Sequence, residues 1–165
     1  MKTISYKILF IISMIVLGNL LCIDAHAQKS QQLTQPTTQV EFGVAHIIVK
    51  DKPLNVEFAH NFEQRARGLM YRDALCEDCG MLFEFDYART AGFWMKNTFI
   101  PLDIAYIDGQ GVIADIKPMY PLLLKSVSSS RDVLYALEMN QGWFEKQGIA
   151  VGDRMQIISR VMANQ

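Results

Sequence analysis

The 165-residue sequence has few cysteines and no excess of either charge, and both absences exclude classes of protein. Three Cys are too few for a disulfide-rich scaffold. With 16 Lys and Arg against 17 Asp and Glu, the chain lacks the basic excess typical of nucleic-acid binders. Half of the residues are hydrophobic, which is too many for an intrinsically disordered chain. The composition predicts a globular protein that does not bind nucleic acid.

The chain also lacks a hydrophobic run long enough to cross a membrane. The apolar run at residues 8–21 has about fourteen residues, whereas a spanning helix needs about 20. Two lysines precede this run and Ala25-His26-Ala27 follows it, which is the pattern of a signal peptide cleaved before Gln28. An uncleaved anchor and lipidation at Cys22 are weaker alternatives. We expect a periplasmic or secreted protein with no membrane span after cleavage of residues 1–27.

A polar segment follows the predicted signal peptide. Residues 28–43 are rich in Gln and Thr and show no apolar periodicity, so they are predicted to form a flexible linker. The remaining residues, 44–161, are expected to form a single domain.

Short apolar segments separated by turns predict a mainly β (α+β) domain. Asn61 and Gln64 have the spacing of a helix capping box. An amphipathic helix is predicted from a stripe of apolar residues: Phe62, Ala66, Leu69 and Met70. A tight turn at 108–111 and a short helical turn at 141–147 are also predicted. Strands are expected at residues 44–49, 53–59, 80–85, 92–96, 103–108, 112–117, 132–139 and 154–161. We expect a compact, mostly antiparallel β barrel or sandwich with one main helix.

Several ordered blocks of sequence are similar to a known family. The blocks are RGLMYR at 67–72, GMLFEF at 80–85, FWMKNT at 93–98, IPLD at 100–103, LEMNQGWF at 137–144 and GIAVGD at 148–153. Together they resemble the domain of unknown function 192 family over nearly all of the chain from Leu54 to Ile158. The resemblance implies a single β-rich domain, often exported in bacteria, with no established activity. This chain departs from the family pattern at Cys76-Glu77-Asp78-Cys79, where polar residues are usual.

The Cys76–Cys79 pair is expected to form a structural disulfide in an oxidising compartment. A redox-active pair is the alternative, but the neighbouring Glu77 and Asp78 would raise the pKa of a thiol. A structural zinc site would need a second cysteine pair, and a c-type haem would need a His at position 80.

Neither a cofactor nor a metal is predicted. His46 and His60 are not spaced as ligands of one metal site. Three methionines that could suggest copper, Met70, Met81 and Met95, are interpreted as core residues.

The segment around Trp94 contains the candidate binding residues. The predicted alternation places Trp94 and Lys96 on one side of a strand and Asn97 on the other. A polar pocket for a small anionic or sugar-like ligand is predicted from six side chains: Arg72, Trp94, Lys96, Asn97, Asp103 and Glu138. In a purely structural alternative, Lys96 pairs with Asp103 or Glu138, and Asn97 satisfies a turn.

The sequence leaves three functional hypotheses. The first is a non-enzymatic binding or accessory module for that ligand. The second is an enzyme, either a thiol-redox protein or a small hydrolase in which Asp103 and Glu138 form an acid/base pair. The third is a structural partner of an envelope protein complex. An enzyme is the less favoured class, because no nucleophile and base are spaced as a pair.

Overall fold

We analysed a computed structural model, which describes residues 39–163. The predicted signal peptide and residues 28–38 of the predicted linker lie outside the described residues. The strands are β1 (Gly43–Val49), β2 (Lys52–Ala59), β3 (Gly80–Arg89), β4 (Gly92–Phe93), β5 (Leu102–Ile107), β6 (Ile113–Met119), β7 (Val127–Ser128), β8 (Val133–Asn140) and β9 (Met155–Val161). The helices are α1 (Phe62–Arg67) and α2 (Trp143–Lys146).

Seven strands form one curved sheet in the order β6-β5-β8-β3-β2-β1-β9, and β4 pairs with β7 in a second, two-stranded sheet. Every pairing is antiparallel except that of β2 with β3. The large sheet is open, although its two edges approach each other through an isolated bridge between Val112 and Arg154. The predicted mainly β class is therefore confirmed, and the architecture resembles a sandwich rather than a closed barrel.

The two faces of the large sheet bury separate cores. The first core lies on the face that carries Leu137 and Met139 of β8 and also contains Trp143 and Phe144 from α2. The second core lies on the opposite face, which carries Ala136, and it is covered by Leu69, Met95 and the small sheet. Side chains of one strand point to alternate faces, so neighbouring residues of β8 belong to different cores.

Helix α1 is shorter than the sequence predicts. Its capping box is confirmed, because the Asn61 side chain accepts from the Gln64 backbone N–H and the Gln64 side chain accepts from the Asn61 backbone N–H. Gly68, with φ of +46°, ends the helix, so Leu69 enters the second core from beyond the helical segment. Phe62 and Ala66 are exposed. The predicted apolar stripe is therefore wrong for the helix itself.

The predicted turn at 108–111 is confirmed as the connection between β5 and β6. The Asp108 carboxylate accepts from the Gln110 and Val112 backbone N–H groups. Gly111 completes the turn with φ of +81°, and a Cβ atom there would lie 2.3 Å from the Met155 carbonyl oxygen. A glycine is therefore required at position 111 by both its backbone conformation and its close contact.

Strand boundaries differ from the predictions in two informative places. β4 ends at Phe93, because residues 96–97 form a turn instead of continuing the predicted strand. β7 lies between the strands predicted at 112–117 and 132–139, where no strand is expected, and it pairs with β4. Among residues 39–163, no helix is long and apolar enough to span a membrane.

Candidate functional site

Glu138 is a charged residue type placed on an apolar face of the large sheet. It lies in β8, opposite Met81 of β3 and Ile104 of β5 in the strand register. Both neighbours belong to the second core, and Glu138 itself is only 5% exposed. A carboxyl group in this position loses most of its hydration, which disfavours the charged form.

A narrow crevice connects Glu138 to the protein surface. It has a volume of about 30 Å³, which is close to the space taken by one water molecule. Its wall includes the backbone around Gly68, the rings of Phe83 and Phe93, and Thr98. Trp94 also lines it and is 52% exposed. The crevice therefore has an aromatic residue at the surface and a carboxyl group among its lining residues.

Burial raises the pKa of the Glu138 carboxyl from the ordinary 4.5 to about 8. No hydrogen bond or neighbouring cation offsets this effect within the described residues. The carboxyl is therefore mostly protonated at neutral pH and has a proton to donate. Burial, together with the charge that Glu138 carries once it has ionised, raises the pKa of Tyr106, whose hydroxyl donates to the Val127 carbonyl.

An open groove of about 280 Å³ adjoins the crevice and shares Trp94 and Phe93 with it. Phe62, Arg65 and Arg89 also line this groove. Arg65 is held by an ion pair with an aspartate of β3 at 3.1 Å. Arg89 makes no ion pair within the described part of the chain, and its guanidinium lies 5.9 Å from the centroid of the Phe85 ring. The groove thus combines aromatic faces with an available positive charge.

Trp94 and Lys96 lie on one side of the chain, as predicted, although neither lies in a strand: Trp94 follows β4, and Lys96 begins the turn at 96–97. The Lys96 ammonium is 5.3 Å from the centroid of the Trp94 ring, while the intervening Met95 is buried. No ion pair joins Lys96 to Asp103 or Glu138 in residues 39–163. The structural alternative proposed for Lys96 is therefore not what the structure shows.

Asn97 fills a structural role in that turn. Its backbone has φ of +55°, and its side-chain amide donates to the Tyr71 hydroxyl at 2.7 Å. The Tyr71 backbone N–H donates in return to the Asn97 carbonyl at 2.7 Å. This double link fixes the turn that presents Trp94, so Asn97 positions the candidate site from its edge.

Arg72 lies away from the crevice. Its guanidinium forms a two-bonded ion pair with Glu57 of β2, with distances of 2.7 and 2.5 Å. It lines a separate groove of about 520 Å³ together with Arg67 and Tyr71. Arg72 does not share a helix face with Arg65, because α1 ends at Arg67 and the two arginines pair with different carboxylates.

Asp103 and Glu138 lie on opposite faces of the large sheet. Asp103 pairs with Met139 in the register and Ile104 pairs with Glu138, so the two carboxyl groups are directed to different cores. Asp103 accepts from the Gly142 backbone N–H at 2.7 Å. Burial raises its pKa, and the Gly142 bond partly offsets that effect. The predicted acid/base pair is therefore not formed, and Asp103 instead supports the turn before α2.

Cys76 and Cys79 form a disulfide with a Cα–Cα distance of 5.0 Å. The loop between them is attached to α2, because the Trp143 indole donates to Asp78 at 2.9 Å and Lys146 pairs with Glu77. Cys76 is exposed. The disulfide therefore stands in a surface loop that is bonded to α2.

Within the described residues, no group of three or more His, Cys, Asp or Glu side chains is placed to hold a metal ion. His46 bonds to Asn55 at 2.5 Å, and His60 stacks on Phe58 with centroids 5.3 Å apart. Met81 and Met95 are buried in the second core, as predicted. The same prediction is wrong for Met70, which is half-buried and lines the crevice.

Comparison with known proteins establishes the family. The sequence profile of the DUF192 family, described as an uncharacterized ACR, matches residues 45–157. The chain belongs to the DUF192 family. A crystal structure from Sinorhizobium meliloti 1021, provisionally described as a transcription regulator, is 36% identical, with a TM-score of 0.65 over 71% of this chain and 94% of that one. None of the curated proteins compared with the chain matches it.

A second solved structure is similar in fold. A protein of unknown function from Novosphingobium aromaticivorans DSM 12444 is 27% identical, with a TM-score of 0.64. The match covers 73% of this chain and 89% of that protein. The described domain of this DUF192 member is therefore similar to two solved structures over most of their length.

Sequence reasoning missed part of the site. Arg89 and Phe62 line the groove next to Trp94, yet neither was a candidate. Phe62 was placed in the core by its helical spacing, and Arg89 lies at the end of a strand that is four residues longer than predicted. An arginine next to an aromatic-rich strand was the available signal.

Proposed function

We propose that this DUF192 domain is a non-enzymatic binding module for a small anionic or sugar-like ligand. The observation that carries the proposal is that exposed Trp94 and buried Glu138 line one continuous crevice. The ligand would place a ring against Trp94 and one hydroxyl or carboxylate group toward Glu138. The crevice admits a single such group, because its volume is only about 30 Å³.

The protonation state of Glu138 supports this class of ligand. A neutral carboxyl donates a hydrogen bond to a hydroxyl or carboxylate oxygen without repelling an anion. Arg89 in the adjoining groove supplies a positive charge for a second acidic group. Aromatic faces such as that of Trp94 suit the apolar side of a sugar ring.

A binding role is favoured over a hydrolytic one by the surroundings of Glu138. Glycoside hydrolysis uses two carboxyl groups about 5–9 Å apart across the substrate. Asp103 is on the other face of the sheet, and no other carboxylate lines the crevice. A thiol-redox role has less support, because the exposed Cys76 is followed directly by Glu77 and Asp78 rather than by a helix N-terminus. A role as an envelope assembly partner remains a separate hypothesis.

Isothermal titration calorimetry with glucuronate and glucose tests the proposal. Trp94→Ala is expected to lower, by at least tenfold, the affinity of the purified protein for whichever of the two compounds binds. The matched control is Tyr87→Ala, since Tyr87 is also an exposed aromatic but lines none of the grooves described above. Equal affinity of the parent and Trp94→Ala, or no heat with either compound, would overturn the proposal.

Two substitutions at Glu138 then test the role of the proton. Glu138→Gln keeps a hydrogen-bond donor of similar size, so we expect it to retain binding near neutral pH. Glu138→Leu removes the donor while filling the same space, and it should lose binding. Loss with both variants would indicate that the carboxyl is needed in its charged form, which contradicts the proposed recognition.

A further inference from the structure

Two neighbouring loops expose an unusual number of large apolar side chains. Residues 120–124 follow β6, and residues 94–99 follow β4. We call their exposed apolar residues the tip patch: Trp94, Phe99, Tyr120, Leu122, Leu123 and Leu124. Each of them is between 40% and 66% exposed. Large apolar side chains that are exposed together on adjacent loops mark an interaction site more often than scattered exposed residues do.

The two loops are held together by backbone hydrogen bonds. The Met95 N–H donates to the Leu123 carbonyl at 2.8 Å, and the Leu122 N–H donates to the Thr98 carbonyl at 3.1 Å. Leu122 has φ of +62°, a conformation uncommon for a residue with a side chain. The tip patch is thus presented by paired backbone segments, and its residues are not merely neighbours in sequence.

The two segments that carry the tip patch contain basic residues and no acidic ones. Residues 89–102 and 116–131 contain five Lys and Arg and no Asp or Glu, although the whole chain has a net charge of −1. Lys117 and Arg131 are paired with aspartates. Lys96 and Lys125 make no ion pair within residues 39–163 and are exposed. Two available ammonium groups therefore flank the exposed leucines.

We propose that the tip patch docks this domain on the surface of a lipid bilayer that contains anionic headgroups. Leucines would enter the boundary between headgroups and acyl chains, Trp94 and Tyr120 would lie at the level of the headgroups, and Lys96 and Lys125 would contact the anionic lipids. This is the composition of peripheral membrane-binding surfaces, in which Trp, Phe and Leu accompany Lys or Arg.

A lipid surface fits this composition better than a protein partner does. Lysine is depleted in protein–protein interfaces, and leucine is under-represented among their energetically dominant residues. Long lysine side chains can instead lie along apolar surface while their ammonium groups reach the headgroups. The attraction also predicts a strong dependence on ionic strength.

The test compares vesicles of phosphatidylcholine with and without phosphatidylglycerol. The full chain is expected to sediment with the anionic vesicles, and Leu122→Asp combined with Leu124→Asp should lower the partition coefficient by at least tenfold. Ile158→Asp combined with Val161→Asp is the matched control, because both of those apolar residues are exposed on β9 and outside the tip patch. If the apolar variant fails to fold, Lys96→Gln with Lys125→Gln should still lower binding several-fold.

Tryptophan fluorescence locates the contact. The chain has two tryptophans, and Trp143 is buried in the first core while Trp94 belongs to the tip patch. Lipids brominated on their acyl chains should quench the parent, and Trp94→Phe should abolish that quenching. Vesicle binding that survives both loop variants, or quenching that persists in Trp94→Phe, would show attachment elsewhere on the chain and overturn the proposal. Failure of the chain to bind any vesicle would also overturn the proposal, even if the tip patch binds a protein instead.

Discussion

Glu138→Gln should change how the stability of the domain depends on pH. In the folded state burial raises the pKa of this carboxyl to about 8, whereas an exposed glutamate in the unfolded chain titrates near 4.5. Between these values the folded state holds a proton that the unfolded state has lost. The free energy of unfolding therefore falls as pH rises through this window. Glutamine does not titrate, so the variant lacks this contribution.

The size of the effect follows from the two pKa values. A pKa difference of one unit corresponds to about 1.4 kcal/mol, and linkage over the interval from about pH 5 to about pH 8 gives a fall of about 3 kcal/mol in the parent. The other titrating groups are shared by both proteins and cancel in the comparison. Glu138→Gln should therefore gain about 3 kcal/mol relative to the parent between these two pH values.

Urea unfolding followed by near-ultraviolet circular dichroism at both pH values measures this difference. Glu63→Gln is the control, because it makes the same chemical change at a glutamate that is exposed on α1 and lies outside the crevice. A parent and a Glu138→Gln variant with parallel pH dependence would refute the reasoning. That result would mean that Glu138 is already ionised in the folded protein at neutral pH.

Three further predictions concern the fold. Gly111→Ala should cost about 3 kcal/mol of unfolding free energy and Gly142→Ala about 1 kcal/mol. Both glycines have φ of +81°, but an added Cβ meets a close contact only at Gly111. Equal losses in thermal melts would contradict this. Reduction of the Cys76–Cys79 disulfide should cost at most about 2 kcal/mol, since the closed loop is so short; complete unfolding in a mild reductant would contradict it. Arg72→Ala should cost no more than about 1 kcal/mol, because its ion pair with Glu57 is partly exposed; a loss of about 3 kcal/mol in urea unfolding would show a larger role.

Local chemistry in the sequence predicted the parts of the fold that depend on near neighbours. The capping box at Asn61 and Gln64 and the turn that ends at Gly111 involve residues at most four positions apart. Their geometry depends on side-chain oxygens next to unpaired backbone N–H groups and on one glycine. Such features are encoded where they occur, so single-sequence reasoning can find them.

The parts that were mispredicted depend on pairings between distant segments. The strand register between β5 and β8 decides that Asp103 and Glu138 face different cores, and no spacing within the sequence reports that register. The pairing of β4 with β7 joins segments more than thirty positions apart, so the local sequence does not predict β7 as a strand. The apolar spacing predicts a helix that continues past Gly68, but the backbone conformation of Gly68 ends α1.

The candidate site shows the same division. Proximity of Trp94 and Lys96 followed from alternation along one segment, and the ring and ammonium do lie together. The burial of Glu138 could be anticipated only in part, because β8 has apolar residues on both sides of it. The crevice that Glu138 shares with Trp94 forms only because residues 67–70 and 93–98 lie next to each other. The three-dimensional structure shows this proximity, and the sequence does not.

The most direct test of the proposed binding role is a carbon-13 NMR titration of the Glu138 carboxyl with and without glucuronate. The resonance is assigned by its loss in Glu138→Gln. The account predicts a titration midpoint near pH 8 in the free protein. It predicts a higher midpoint with glucuronate bound, because an anion that accepts the carboxyl proton in a hydrogen bond favours the protonated form. A midpoint that saturating glucuronate leaves unchanged would contradict the account.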